Sequence, residues 1–154
     1  MMPTKYFSAK QETSVAKYLE WEVVSGSGAR DTLPGDVTSD EWLGECKTHV
    51  VSSETITFEL GHWQKIKAEA LAKFKNPVLI CDNGTQETRN TWCMFSADYF
   101  DLSSYTVENL SAVTRKNFKM KLKDFRRHIV YSFMYDDARV CIAHISIFKE
   151  LLGG

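Results

Sequence analysis

The sequence lacks any apolar run that approaches the roughly 18 residues needed for a membrane-spanning helix. Residues 1–7 also lack the apolar segment of a signal peptide, so we expect a cytoplasmic protein, in the host cytoplasm if a phage encodes it. The four cysteines, Cys46, Cys81, Cys93 and Cys141, form no CxxC pair, which argues against a zinc knuckle or a thioredoxin-like redox site. We therefore expect reduced, buried thiols and no membrane partner.

What is present is the composition of an ordinary globular protein. Of the 154 residues, 44% are hydrophobic and 25% are charged, which is enough for a single domain over residues 1–154 with a hydrophobic core. The net charge of −1 conceals one strongly basic segment, residues 115–128, in which Asp124 is the only acid. Such a segment can attract a polyanion, and a solvated basic surface is an alternative of equal weight.

Apolar spacing predicts the order of elements at the start of the chain. A partial apolar stripe predicts a first helix over about residues 8–19, where Ser8 and Gln11 resemble a capping box. Residues 21–24 predict a short strand, which a Ser-Gly loop ends.

Further along, alternation predicts a strand at residues 55–60, helical spacing predicts a helix at 62–75, and an apolar run predicts a buried strand at 78–81. A similar pattern at a constant spacing predicts a second strand-helix-strand unit over about 117–143, followed by a helical turn at 145–152. Coincidence is the alternative to such a repeat.

The polar tip at residues 39–41 predicts a hairpin between two β-prone runs. Residues two apart in a strand share a face, so Glu45 and Lys47 lie together while Cys46 points to the opposite face. A hairpin centred between residues 40 and 41 places Asp36 opposite Glu45, with Cβ atoms about 5 Å apart. Two carboxylates and an ammonium group would then share one surface.

That surface suits hydrolysis of a phosphodiester. Carboxylate oxygens are hard ligands for Mg²⁺, which lowers the pKa of a bound water and neutralises charge on the phosphate. Lys47 can hold the attacking water or stabilise the transition state. The alternative is an ordinary charged hairpin with a cross-strand ion pair, because an acid two residues before a lysine is common.

The complete order of these features resembles the PD-(D/E)XK nuclease superfamily, and most closely its small archaeal and phage Holliday-junction resolvases. An acidic helix, a strand, a Ser-Gly loop and Pro34-Gly35-Asp36 precede a hairpin that ends in Glu45-Cys46-Lys47-Thr48. Gly35 separates the proline from the aspartate, and resolvases often have Gly-Asp here. The resemblance covers about residues 8–82.

The resemblance implies an α/β fold with a restriction-endonuclease-like core, in which helices flank a central mixed sheet in the order α-β-β-β-α-β. Residues 83–154 show no family motif, and we expect them to add a C-terminal strand-helix-strand extension. The resemblance also makes Asp36 and Glu45 ligands of Mg²⁺, for which Mn²⁺ is an expected substitute. Lys47 becomes the catalytic lysine.

One further member of the catalytic and metal-binding site is implied by the family pattern. Glu12 would be the glutamate of the first helix that completes the site. A solvated helix residue is the alternative, and Glu20 and Glu22 are rivals for the same role.

Binding of DNA is expected to involve two regions. Lys119, Lys121 and Lys123 alternate with apolar residues, so a strand here would have one basic face and one buried face. The expected phosphate contacts are Arg115, Lys116, Lys119, Lys121, Lys123, Arg126 and Arg127. The loop of resolvases meets DNA, which implies contacts from Ser25 and Ser27, and Arg30 could add one; a plain connector is the alternative. His49 could touch phosphate, although a lone histidine is more often incidental.

The expected function is that of a Mg²⁺-dependent endodeoxyribonuclease, a structure-selective Holliday-junction resolvase in DNA recombination and repair. The family leaves 5′-phosphate and 3′-hydroxyl ends. A four-way junction has two strands to cut symmetrically, so we expect a homodimer. The alternatives are a restriction- or repair-type nuclease on the same core and a catalytically silent DNA-binding module.

Overall fold

The computed structural model describes residues 3–24 and 35–153, and the helices and strands named here lie within those ranges. The helices are α1 (Thr4–Leu19), α2 (Leu60–Ala72) and α3 (Ile145–Gly153). The strands are β1 (Glu22–Val23), β2 (Val37–Thr38), β3 (Trp42–Lys47), β4 (Thr55–Glu59), β5 (Asn76–Cys81), β6 (Trp92–Ser96), β7 (Thr106–Asn109), β8 (Asn117–Lys121), β9 (Ile129–Tyr135) and β10 (Ala138–His144). None of the described helices is both long and apolar enough to cross a membrane.

Eight of these strands form one mixed sheet in the order β1-β2-β3-β5-β6-β10-β9-β7. The β3–β5 and β7–β9 pairs are parallel, and the other neighbours are antiparallel. The remaining two strands pair with each other in an antiparallel ribbon, which we call the β4–β8 ribbon. The expected α/β fold with a mixed central sheet and flanking helices is therefore confirmed.

The two faces of the large sheet bury separate hydrophobic cores. Helices α1 and α3 cover the first face, where Cys46 of β3 packs with Val15 and Phe148. Helix α2 and the β4–β8 ribbon cover the second face, where Leu43 of β3 packs with Trp63. Alternation along β3 thus sends successive side chains to opposite cores, as a pleated strand buried on both sides requires.

All four cysteines are free and buried, as expected from the sequence. Burial raises the pKa of the Cys46, Cys81 and Cys93 thiols well above the ordinary value, and that of Cys141 to about 11. Because the thiolate is the reactive form, these residues act as small apolar side chains of the core.

The expected first helix begins earlier than predicted. Helix α1 starts at Thr4 with Pro3 at its N-cap, so Ser8 lies inside the helix and the predicted capping box is wrong. Proline is compatible with this position because its missing N–H is not needed by the hydrogen bonds of the helix that follows. Gln11 is instead buried, and its side-chain amide donates a hydrogen bond to the Lys47 carbonyl at 2.7 Å.

The next elements follow the prediction closely. Strands β4 and β5 match the expected strands, and α2 lies where a helix was expected, although it ends at Ala72 rather than residue 75. Phe74 has a left-handed φ of 58°, which turns the chain before Pro77 enters β5.

The predicted strand-helix-strand extension in the C-terminal half is wrong. Strands β8 and β10 and helix α3 occur where expected, but residues 122–128 form only a short 3-10 turn at Leu122–Asp124 and an irregular segment. Strand β9 then occupies the rest of the space assigned to the helix and forms a hairpin with β10. The seven residues between β8 and β9 are too few to build a helix with an apolar face that could cross the sheet.

Candidate active site

Strand β3 positions the two central residues of the predicted site. Glu45 and Lys47 share the face of β3 that is opposite to Cys46, as the period of a strand requires. The Lys47 Nζ lies 3.2 Å from Glu45 Oε2, and Glu45 is only 6% exposed. The largely buried carboxylate thus has an ammonium group beside it.

The β2–β3 hairpin brings Asp36 to the same place. The register pairs Val37 with Gly44 and Thr38 with Leu43, which is the register predicted from a turn centred between residues 40 and 41. The regular ladder ends there, because the Asp36 amide donates to the Gly44 carbonyl at 2.8 Å.

Beyond the end of that ladder, the side chain of Asp36 takes the place of a backbone carbonyl as the hydrogen-bond acceptor for β3. Its Oδ2 accepts a hydrogen bond from the Cys46 amide at 2.8 Å, so the carboxylate lies against the part of β3 that β2 does not pair with, close to Glu45. Burial raises the pKa of Asp36, and the nearby charge of Glu45 raises it further, while the Cys46 amide, Lys47 and Lys65 act in the opposite direction. The carboxylate therefore lies in a partly desolvated position between charges of both signs.

Helix α1 adds a third carboxylate to this group. Val15 and Leu19 bury one side of the helix in the first core, and Gln11 ties it to the end of β3 through the Lys47 carbonyl. Glu12 follows directly, and burial together with the negative charges of Asp36 and Glu45 raises its pKa to about 7. The structure thus brings together the four residues predicted for the site, namely Glu12, Asp36, Glu45 and Lys47.

Helix α2 contributes two residues that the sequence interpretation missed. The Lys65 Nζ lies 3.9 Å from Glu45 Oε2 and 3.8 Å from Glu69 Oε2, one helical turn further on. Burial and the positive charge of Lys47 lower the pKa of His62, which favours its neutral form. The positions 62, 65 and 69 follow helical spacing beside the apolar stripe of α2, and that polar stripe was the signal that could have identified them.

The loops after the parallel strands β3 and β5 form a hydrogen-bonded network beside Lys47. Asp82, which is 1% exposed, accepts hydrogen bonds from the Thr48 hydroxyl and, at 2.8 Å, from the Gly84 amide. The Gln86 side-chain amide donates to Thr48 Oγ1 at 2.9 Å and to the His49 carbonyl at 3.0 Å. This network fixes the path of the chain directly after Lys47, and the sequence offered no motif that marks it.

The carboxylates fit a lightly ligated Mg²⁺ better than an ion enclosed by protein. Across residues 3–24 and 35–153, no three His, Cys, Asp or Glu side chains are grouped so that they could hold a metal ion. Mg²⁺ commonly uses one or two carboxylates and completes its shell with waters and substrate phosphate. Asp36 and Glu45 supply such a pair, and their negative charges add to the effect of burial in raising the pKa of Glu12.

An open pocket extends from this site towards the basic segment. Its volume is about 370 Å³, and Lys47, His49 and Lys119 are among the residues that line it. Strand β8 exposes Lys119 and Lys121 and buries Met120, which confirms the predicted alternation up to Lys121. The strand ends there, so the prediction is wrong for Lys123 and the half-buried Leu122, which lie in the 3-10 turn. Of the seven basic residues at 115–127 predicted to contact DNA, only Lys119 lines the pocket that contains Lys47.

The remaining predicted DNA contacts lie either on the exposed surface or outside the described residues. Six of them are exposed but do not line that pocket: Arg115, Lys116, Lys121, Lys123, Arg126 and Arg127. Ser25, Ser27 and Arg30 fall outside the described residues, so their predicted roles stay predictions.

Comparisons of the chain with protein-family models, with curated proteins and with solved structures found no match. The interpretation of the site therefore depends on its geometry and on the sequence motif. The central features of the site are the buried Glu45, the hairpin residue Asp36 and Lys47, which meet at β3. The basic β4–β8 ribbon lies across the adjoining pocket.

Proposed function

We propose that this protein is a metal-dependent endonuclease of the PD-(D/E)XK type, which hydrolyses phosphodiester bonds in DNA and prefers branched substrates such as four-way junctions. The observation that carries the proposal is the meeting of Asp36, Glu45 and Lys47 where β2 separates from β3. The order α1-β1-β2-β3-β4-α2-β5, in which β4 belongs to the separate ribbon and β5 is parallel to β3, supports the restriction-endonuclease-like core that the sequence motif implies.

In this proposal Asp36 and Glu45 hold a divalent cation, and Glu12 beside them would accept a hydrogen bond from one of the waters on the cation. The cation, Mg²⁺ or Mn²⁺, would lower the pKa of a bound water and neutralise charge on the phosphate. Lys47 lines the open pocket and can donate to a non-bridging phosphate oxygen as negative charge develops. The water oxygen bonds to phosphorus as the bond from phosphorus to the 3′-oxygen breaks. The attacking water gives up one proton to solvent and the released 3′-oxygen takes one up, so the products are a 5′-phosphate and a 3′-hydroxyl.

Two variants test this assignment directly. Asp36→Asn removes a cation ligand, and Lys47→Ala removes the donor to the phosphate. We expect each to lower the cleavage rate of a synthetic four-way junction by at least about 100-fold in Mg²⁺ while junction affinity changes little. Asp40→Asn and Lys73→Ala are matched controls, because both residues are exposed and lie away from the site. Cleavage at the parental rate by either site variant would show that the assignment is wrong.

The choice of substrate separates the proposal from a restriction- or repair-type nuclease on the same core. Four-way, nicked and linear DNA of one sequence would be incubated with the protein in Mg²⁺ and in EDTA. We expect the junction to be cut in Mg²⁺ in preference to the linear duplex, and no cleavage in EDTA. Equal cleavage of the linear duplex would favour the rival nuclease.

One observation favours a catalytically silent DNA-binding module as the second candidate. The described residues contain no group of three metal-binding side chains, so the metal affinity of the free protein must depend on two carboxylates or on bound DNA. Junction binding without cleavage at any concentration of Mg²⁺ or Mn²⁺ would favour this candidate.

A further inference from the structure

The outer face of the β4–β8 ribbon carries lysines without acidic partners across the strands. Lys119 lies opposite Thr57, and Lys121 lies opposite Thr55. Directly opposed side chains share a face, so an acid at position 55 or 57 would have stabilised the ribbon by pairing with the lysine. No ion pair within the described part of the chain includes either lysine. The ribbon therefore presents free positive charge flanked by hydroxyl groups.

The pocket beside Lys47 places part of this face next to the site of chemistry. Lys47 and His49 line it from the end of β3, His62 lines it from α2, and Asn117 and Lys119 line it from β8. Its volume of about 370 Å³ is within the roughly 300–1,000 Å³ typical of small-ligand pockets. Because Lys47 lines both this pocket and the proposed active site, a group bound here would be a direct neighbour of the phosphate that is cut.

The lining favours a phosphate over a base. Lys119, Asn117 and Thr57 offer an ammonium, an amide and a hydroxyl group as donors. No Phe, Tyr or Trp is among the described residues that line the pocket, so it has no aromatic surface on which a base could stack. Two acids also line it and would repel a phosphate. Asp82 accepts hydrogen bonds from Thr48 and Gly84 at Oδ1 while its Oδ2 is buried without a partner, and Glu59 lies opposite Asn117 at the end of the ribbon. A phosphate would therefore sit towards Thr57 and Lys119.

We propose that this pocket is a subsite for the phosphodiester next to the one that is cut, with Lys119 as its main ligand, and that the same DNA strand continues to Lys121. Alternate residues of a strand lie about 7 Å apart, which is close to the separation of successive phosphates along one nucleic-acid strand. The subsite rests on the proposed nuclease function, because that function defines the phosphate that is cut. The subsite defines a path for one DNA strand across the β4–β8 ribbon, and the basic composition of the segment alone does not define such a path.

The test removes one negative charge at a time from the DNA and one positive charge at a time from the protein. Four-way junctions would each carry a single neutral methylphosphonate linkage, moved stepwise along the strand, and their affinities would be measured by fluorescence anisotropy in EDTA. The proteins would be wild type, Lys119→Ala and Lys73→Ala. Lys73 is the matched control, because it follows α2 at the end of the sheet where Asn76 meets Glu41, opposite to the site.

We expect Lys119→Ala to weaken binding of the unmodified junction by about 5- to 10-fold, as the loss of one charge-assisted phosphate contact should. A methylphosphonate at one position should weaken binding to the wild-type protein by a similar factor. At that same position it should leave the affinity of Lys119→Ala almost unchanged. Lys73→Ala should show the full wild-type penalty at that position. The proposal is overturned if Lys119→Ala binds normally, or if its effect adds to that of the methylphosphonate at every position.

A cleavage map in Mg²⁺ then gives the position of the coupled phosphate relative to the cut. The subsite requires the two to be adjacent, and a coupled phosphate elsewhere would overturn it. If no DNA is cut but Lys119 still couples to one phosphate, the nuclease function fails. A phosphate site at Lys119 then stands, but the proposal that it lies next to a cut phosphate is refuted. If DNA is cut and no coupling appears, the subsite fails and the nuclease function stands.

Discussion

The Glu12 carboxyl group lies where three acidic side chains approach one another. Its pKa is raised to about 7, first because the group is partly buried and then because Asp36 and Glu45 are negative. Without a metal ion the three carboxylates would hold a proton near neutral pH, and the titration would belong partly to the group as a whole. A divalent cation relieves the same repulsion, so cation binding and proton binding should compete at this site.

The raised pKa of Glu12 has a defined effect on stability in the absence of metal. The folded protein holds the Glu12 proton more tightly than the unfolded chain, whose value is near 4.5, so this contribution is fully present below pH 4.5 and is lost as pH rises through about 7. Glu12→Gln has no carboxyl group at this position, so its stability does not depend on this proton. We expect the stability of wild type relative to Glu12→Gln to fall between pH 4.5 and 7 in EDTA, measured by urea unfolding.

Asp36→Asn provides the control for this prediction, because it removes one of the charges that repel Glu12. A carboxyl titration of Glu12 by NMR should move from about 7 towards 4.5 in that variant and stay near 7 in Asp40→Asn. A Glu12 pKa close to 4.5 in the wild-type protein would contradict the placement of α1 against the hairpin.

The site residues show how far local pattern carries a prediction. The same-face relation of Glu45 and Lys47 and the register of the hairpin follow from the period of a strand and from the turn, and both are present. Lys65 and His62 could not be placed in this way, because their approach to β3 depends on how α2 packs over the sheet. The Gln86 network likewise joins loops that are far apart in sequence.

At the scale of elements, the β2–β3 hairpin depends on close packing at Gly44. A Cβ atom at this position would lie 2.9 Å from Val37 Cγ2, 3.2 Å from Ile80 Cδ1 and 3.3 Å from Val78 Cγ1. The glycine therefore lets β2 and β5 approach β3 closely on the face of the first core. Its carbonyl also accepts the hydrogen bond from the Asp36 amide, so the same residue links packing to the active site.

We expect Gly44→Ala to lower the free energy of unfolding by about 1–3 kcal/mol, because the added methyl group overpacks this contact. It should also reduce cleavage, because a shift of β2 moves Asp36. Gly61→Ala is the matched control: a Cβ there meets nothing within 4 Å, and alanine favours a helix by up to about 1 kcal/mol over glycine. Urea unfolding at one pH would compare the three proteins. A Gly44→Ala variant as stable as wild type would show that β2 and β5 yield without cost.

At the scale of the whole molecule, the second half of the chain is part of the same sheet as the first. Strand β6 pairs with both β5 and β10, so residues 83–154 supply four of the eight strands, β6, β7, β9 and β10. The repeat-like pattern predicted β8 and β10 but could not reveal the pairing of β6 with β10, because it connects strands that are not neighbours in sequence. Residues 122–128 also show that apolar spacing alone does not make a helix where the connection is short.

This continuity predicts that residues 1–82 do not form an independent nuclease core, even though they contain Glu12, Asp36, Glu45 and Lys47. Without residues 83–154, β5 loses its pairing with β6, β4 loses its pairing with β8, and the first core loses the Phe148 side chain. An unpaired central strand and two open cores leave apolar surface in water, which a fragment of this length cannot offset.

The fragment containing residues 1–82 and the full chain would be compared by thermal unfolding followed by circular dichroism and by NMR of the backbone amides. We expect the full chain to unfold cooperatively with dispersed amide signals. The fragment should show narrow dispersion and no cooperative transition, because β3 and β5 alone cannot bury both faces of the sheet. Cooperative unfolding of the fragment would contradict this, and would mean that the helices α1 and α2 suffice to cover the catalytic strands.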